Sequence, residues 1–337
     1  MRIVFDISTP KQVRFFRPMM AGLRDAGCTV SVVTRDYVEL NLLMRSLRVP
    51  ATVLGRHGGS TPIEKLRSFS ERVGLLAQYF ARHRPDALVT LSNAESCRAA
   101  FGLKIPIVCF NDVPTSRIVG RLTLPLASKV CAPWIIPKQE FVRFGVAPKD
   151  LFFYRALDPL IWLKEHGNGG ASTAAPDHDA RRPVVVCRET EWQSSYVSSD
   201  IVGAVAKALR QRHPDWDIIN IPRYKTHDFY DVPALLADAD LLIGGGGTMC
   251  VEAAYFGTPV IATLPVRPRY MQWLFARRLA RRCLTVSDAV RWAEETVANC
   301  RTKTAKEARR RAQRIFSGMR FPLERIVNLI RATAEDA

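Results

Sequence analysis

The sequence predicts an α/β protein built of two Rossmann-like domains. Three observations carry this: short β-branched runs alternate with helical periods from the first residue, the alternation stops in a small polar stretch near the middle, and it then restarts. A chain of 337 residues is longer than one typical core of roughly 100–150 residues, and 47% hydrophobic residues can fill two.

In the first half the apolar runs Ile3–Ile7, Val30–Thr34, Ala51–Leu54, Ala87–Leu91, Ile107–Phe110 and Lys129–Ala132 read as strands. Helical periods lie near Val13–Ala26, Val38–Leu47, Pro62–Arg82, Ala94–Phe101 and Ser116–Leu126. The stretch Leu163–Pro183 is small, polar and aperiodic, and its His166 and His178 read as solvated linker residues. The strand pattern resumes at Val184–Cys187, Ile218–Ile221, Leu241–Gly244, Val260–Leu264 and Leu284–Val286, with a helix near Ile201–Arg212 and two closing helices, Thr302–Phe316 and Leu323–Glu335. The expected organisation is a domain over 1–160, a linker over 161–182, a second domain over 183–320 and a last helix over 321–337.

No apolar stretch approaches the roughly 18 residues that span a bilayer, and the first residues run straight into a strand, so the chain reads as cytoplasmic. Eight cysteines without a CxxC pair read as buried thiols, and neither a disulfide framework nor a metal site is expected. A formal charge of +17 favours an anionic partner, although arginine-rich codon usage would produce the same excess. No nucleic-acid motif accompanies the charge, and no specific nucleic-acid partner is expected.

The strongest local signal is a buried strand running into Gly244-Gly245-Gly246-Gly247-Thr248 and then a helix. Glycines let a backbone approach phosphate closely, and the N–H groups and dipole of the following helix favour its charge. Thr248 can cap that helix or offer its hydroxyl, and Glu252, about one turn on, can accept from ribose hydroxyls. The loop lacks a Walker lysine and the GxGxxG spacing, which argues against ATPase and dehydrogenase functions.

Polar loops follow several other strands. Ser8, Thr9, Gln12 and Arg14 open the first helix at the carboxyl end of the sheet, where they could meet an acceptor or simply cap the helix. His57, beside Gly58 and Gly59, is the best-placed general base of six histidines, and Asp112 closes strand five. Arg188, Arg223 and Tyr224 end strands of the second half. The two guanidinium groups there could hold a diphosphate, or serve as surface ion-pair partners. The run from Arg267 to Arg282 mixes aromatic and cationic residues, either as a helix lying on an anionic membrane surface or as an aromatic stripe facing the core.

Asp6 through Phe16, Arg56 through Gly59, Phe110-Asn111-Asp112, Arg121 through Ala127, Pro222-Arg223-Tyr224 and Gly244 through Thr248 with Glu252 together resemble a family of uncharacterised prokaryotic proteins with the GT-B fold. That family is distantly similar to the UDP-N-acetylglucosamine 2-epimerases and to the N-acetylglucosaminyltransferase that makes lipid II. The resemblance implies two domains facing a cleft and a final helix crossing back to the first domain. It also implies a nucleotide-diphosphate sugar, such as a UDP-sugar, held by Gly245, Gly246, Gly247, Thr248 and Glu252, with no separate cofactor. The chain departs from these relatives at Gln12, where a histidine is usual. It departs again near Asn93, where the epimerases place an aspartate, and at Arg117 and Ile118, where they place two acids.

Elimination and re-addition of a nucleotide need acids and bases on the sugar, so epimerisation ranks second to glycosyl transfer with an unknown acceptor and His57 or Asp112 as base. A non-catalytic protein that binds a nucleotide or an anionic membrane at its inner face is the third reading.

Overall fold

A computed structural model describes every residue except 60, 168–180, 191–200, 223–229, 267, 301 and 337. His178, Arg223 and Tyr224 therefore lie outside the described residues. The chain divides into two compact units, one comprising Met1–Ile161 with the chain from Phe321 onward, the other Trp162–Arg320.

The first unit contains the strands β1 (Arg2–Ile7), β2 (Thr29–Asp36), β3 (Thr52–Arg56), β4 (Ala87–Thr90), β5 (Ile107–Phe110), β6 (Lys129–Pro133) and β7 (Leu151–Tyr154). Its helices are α1 (Pro10–Asp25), α2 (Val38–Ser46), α3 (Pro62–His83), α4 (Ala94–Gly102), α5 (Arg117–Thr123) and α6 (Gln139–Val142). The strands form one parallel sheet in the order β3-β2-β1-β4-β5-β6-β7. Strands covered on both faces need not alternate, and β4 and β5 are buried throughout, as their continuous apolar runs require. Phe5, Phe15, Phe16 and Phe110 meet edge to face, with ring centroids 5.2–5.7 Å apart.

α7 (Leu160–Gly167) spans the boundary and occupies the start of the segment that reads as linker. The second unit continues with β8 (Val184–Arg188), α8 (Val202–Arg212), β9 (Asp217–Ile221), α9 (Val232–Asp238), β10 (Leu241–Gly244), α10 (Thr248–Phe256), β11 (Val260–Ala262), α11 (Arg269–Ala276), β12 (Arg281–Arg282), α12 (Val286–Asn299) and α13 (Lys303–Ser317). Its sheet is also parallel, ordered β12-β11-β10-β8-β9, over a core that includes Val185, Val205, Leu209, Leu241, Ile243, Ala289 and Ala293. The last helix, α14 (Leu323–Glu335), belongs to the first unit, where Phe321 meets Phe15 at 5.6 Å and Gly22 leaves room for Val327.

Several elements differ from the sequence expectation. Leu284–Val286 is not a strand, because Thr285 caps α12 by accepting from the Asp288 N–H, and the strand that joins the sheet is Arg281–Arg282. β7, α6, α7, α9 and α12 were not anticipated. Of the two arrangements expected for the run after Arg267, the core-facing aromatic stripe is the one found. Its helical part, α11, buries Met271, Trp273 and Leu274, and Arg277 stacks over the Trp273 ring at 4.2 Å, so the apolar stripe faces the core. Among the described residues no helix is long and apolar enough to cross a membrane.

Candidate functional site

Each sheet has one point where the strand order reverses direction, which is where open α/β sheets leave a crevice at their carboxyl ends. In the second unit this point falls between β8 and β10, and the glycine loop follows β10 directly. Arg188, the last residue of β8, is in register with Gly244. Its guanidinium donates to the Pro222 carbonyl at 2.6 Å, which holds the side chain against the end of β9.

The four glycines have different physical reasons. A Cβ on Gly245 would lie 2.6 Å from Thr190 Oγ1 and 2.9 Å from Thr190 Cα, so the close passage of two backbones requires glycine there. Gly246 adopts φ +80°, and a Cβ would stand 3.0 Å from Leu264. Its carbonyl accepts a hydrogen bond from the Tyr270 hydroxyl at 3.2 Å. At Gly244 the nearest atoms among the described residues are 3.8 Å away, and at Gly247 a Cβ would meet none of them within 4 Å. Gly247 has φ −85°, which any residue accepts, and it is the N-cap of α10. The fold thus accounts for Gly245 and Gly246, and leaves Gly247 as a bare backbone at a helix N-terminus.

Thr248 begins α10, and Glu252 sits one turn along it, buried to 3% exposure. One Glu252 carboxylate oxygen accepts from the Trp162 indole at 2.8 Å. This contact was not legible in the sequence, since the two residues are 90 positions apart.

In the first unit the reversal lies between β1 and β4. Ser8 and Gln12 come from the β1–α1 loop and Asn93 follows β4. Gln12 is buried, its Oε1 accepting from the Ser8 N–H at 2.5 Å and its amide donating to Asn93 Oδ1 at 2.9 Å and to the Leu91 carbonyl at 3.3 Å. The Asn93 amide donates to the Asp6 carbonyl at 2.9 Å. Gln12 therefore ties the first loop to β4, and the buried Ser8 hydroxyl has no hydrogen-bond partner among the described residues. Thr9 is the N-cap of α1 without a side-chain cap bond, and Arg14 is half-buried.

Beside this loop the Lys11 ammonium lies 2.6 Å from Asp112 and 2.7 Å from Asp158, and Asp158 also accepts from the Tyr154 hydroxyl at 2.5 Å. Burial works against the charge on Lys11, but the two carboxylates more than offset it and raise its pKa. Burial raises the Asp158 carboxyl, against the pull of Lys11. Asp112 is thus drawn into a charge network whose other members carried no weight in the sequence. The signal available was the spacing of Tyr154 and Asp158, four residues apart, with Tyr154 closing β7.

His57 follows β3, the edge strand, two positions from the reversal point. Its ring lies against Tyr37 with centroids 5.2 Å apart. Burial, then the neighbouring charges of Arg35 and Lys65, push its pKa down to about 4, so the imidazole is neutral but weakly basic. The unfolded chain protonates His57 near 6.5 while the folded chain resists. Stability from the neutral ring is therefore complete above that pH and is lost as pH falls from 6.5 toward 4. The ring is partly solvated, so the expected loss is only about 1–2 kcal/mol. Urea unfolding at pH 7 and pH 4.5 should show His57→Gln losing less stability than the parent by this amount, and equal losses would refute the assignment.

Seven of the cysteines are buried and Cys300 is half-buried. Among the described residues no group of three or more His, Cys, Asp or Glu side chains could hold a metal ion.

With this geometry in view, a family model described as "Protein of unknown function (DUF354)" matches residues 1–310. The chain belongs to the DUF354 family. This DUF354 protein is 23% identical over 282 residues to the uncharacterised protein MJ0665 of Methanocaldococcus jannaschii, covering 77% of this chain and 81% of that one. Its fold is that of GT-B glycosyltransferases and UDP-GlcNAc 2-epimerases. The S. aureus MnaA-UDP co-structure superposes with a TM-score of 0.76 at 14% identity, covering 99% of this chain and 97% of that one. The UDP-GlcNAc 2-epimerase from Neisseria meningitidis bound to UDP-GlcNAc gives 0.65 at 13% identity over all of both chains. Glycosyltransferase VinC in complex with dTDP gives 0.61 at 17% identity, again over all of both chains.

Proposed function

We propose that this DUF354 protein is a GT-B-type glycosyltransferase whose second unit binds a nucleotide-diphosphate sugar at Gly244–Thr248. The observation that carries the reading is Gly247. It is a bare N-cap at the strand-order reversal, and among the described residues no atom lies close enough to exclude a side chain there. A diphosphate there meets the amino end of α10, a nine-residue helix whose dipole favours negative charge. Arg188, opposite Gly244, offsets charge that develops on the departing diphosphate. The Glu252 oxygen not bonded to Trp162 takes a ribose hydroxyl. The similar solved structures that hold UDP, UDP-GlcNAc or dTDP support a pyrimidine nucleotide.

On the first unit Asp112 is the base for the acceptor hydroxyl. It stands beside the reversal point on a loop fixed by Lys11, whereas His57 lies at the sheet edge.

A thermal-shift series with UDP, dTDP, GDP and ADP tests the donor site. At a hundred times the dissociation constant, binding adds about 2.7 kcal/mol and raises the unfolding temperature by several degrees. Gly247→Val, whose side chain has room in the unliganded protein, should keep stability within about 1 kcal/mol and abolish the shift. A shift that survives this substitution places the nucleotide elsewhere. Conversion of UDP-GlcNAc to its 2-epimer without an acceptor would replace transfer by epimerisation.

A further inference from the structure

Helix α5 carries a pair of cations that folding does not explain. Arg117 and Arg121 stand four residues apart on a seven-residue helix with no acidic residue, and both are exposed. Neither makes an ion pair or a side-chain hydrogen bond among the described residues. Like charges at this spacing repel across one helical turn, so the pair raises the free energy of the isolated helix.

The two arginines line a pocket of about 290 Å³ together with Pro125, Arg143 and Phe144. Its wall is built deliberately into the chain. Gly120 has no side chain because the Phe144 ring occupies that space, where a Cβ would come within 2.8 Å of the ring. Arg143 lies over Phe144 at 5.0 Å and is held by the Pro114 carbonyl at 3.1 Å and by Glu140 at 3.0 Å. Arg143 is thus oriented and partly neutralised, while Arg117 and Arg121 bring two uncompensated charges to the same hollow. One position further along the helix from each, Ile118 and Leu122 are 68% and 44% exposed, forming an apolar row about 100° around the helix from the arginine row.

We propose that this pocket binds the phosphoryl group of a ligand whose apolar part lies along Ile118 and Leu122. Guanidinium groups offer paired N–H donors that match phosphate oxygens, and a phosphate bound here removes the repulsion between Arg117 and Arg121. The pocket's Arg143 donates to the carbonyl of Pro114, two residues past Asp112 in the chain. Within the function proposed above it therefore gives the acceptor a chemical class, an amphiphilic phosphate ester. It rests on that reading only for the acceptor role, because binding is measured without any nucleotide.

Isothermal titration of the whole protein with hexyl phosphate, inorganic phosphate and vesicles containing phosphatidylglycerol provides the test. Hexyl phosphate should bind saturably and more tightly than inorganic phosphate. The double substitution Arg117→Gln with Arg121→Gln should weaken it about ten- to a hundredfold, as expected for loss of charge-assisted hydrogen bonds. Arg24→Gln with Arg45→Gln removes the same net charge from exposed positions on α1 and α2 and should leave affinity unchanged. Ile118→Ser with Leu122→Ser should erase the advantage of hexyl phosphate over inorganic phosphate. Gly120→Ala offers a separate check, since displacing Phe144 must distort the pocket and weaken binding. The proposal is overturned if hexyl phosphate does not saturate, if both arginine double variants behave alike, or if only vesicles bind. Loss of nucleotide binding in Gly247→Val with hexyl phosphate binding intact would separate this site from the donor loop.

Discussion

Asp6→Asn is expected to destabilise the first unit by about 3–5 kcal/mol, because it leaves the Arg72 guanidinium buried beside a neutral partner. Arg72 and Asp6 are both fully buried, joined by two contacts of 2.5 and 3.1 Å, and Arg72 Nε also donates to the Leu54 carbonyl at 3.0 Å. The next acid, Glu95, is 3.9 Å away and compensates only in part. Replacing both members, Asp6→Leu with Arg72→Met, removes the uncompensated charge and should return stability to within about 1–2 kcal/mol of the parent. Chemical unfolding of the parent, the single and the double variants measures this. If the double variant is as unstable as the single, the pair contributes net stability of its own and the desolvation argument fails.

The same pair shows where the sequence stopped being informative. The acid within the apolar run Arg2-Ile-Val-Phe-Asp-Ile7 is a visible anomaly, since a buried carboxylate needs a partner. Its partner lies 66 residues away on α3, a helix whose many charged residues look alike until the sheet places one of them against Asp6. Local rules do give the alternation of strands and helices, because it depends on residues within one or two turns. They also give the glycine loop, since strand, glycines and helix are contiguous. They do not distinguish glycines required by neighbours from those that are not. Gly245 is explained by Thr190, 55 positions earlier, and only the fold separates it from Gly247. The roles of Lys11, Asp158 and Trp162 are hidden for the same reason, each being defined by a partner brought in by strand order rather than by spacing.

Lys11→Met is expected to have the second large effect, with a pH dependence that identifies its cause. In the parent, one ammonium group offsets Asp112 and the buried Asp158, while Tyr154 supplies Asp158 with a hydroxyl proton. Without Lys11 the Asp158 carboxylate is buried next to a second carboxylate, and both burial and repulsion favour its protonated form. An acid whose pKa is raised by folding is stable in the folded protein below its unfolded value near 3.8, and that stability is lost as pH rises through the folded value. Lys11→Met should therefore be nearly as stable as the parent around pH 4 and about 3–5 kcal/mol less stable at pH 7–8. Adding Asp158→Asn to Lys11→Met removes the titrating charge and should flatten the difference between the two pH values. A loss equal at both pH values would mean that Lys11 contributes packing rather than charge. Asp112→Asn alone leaves the Lys11–Asp158 pair intact and should fold normally, so loss of the proposed glycosyl transfer in that variant would report on the reaction, whereas loss in Lys11→Met would report on the carboxylates it holds in place.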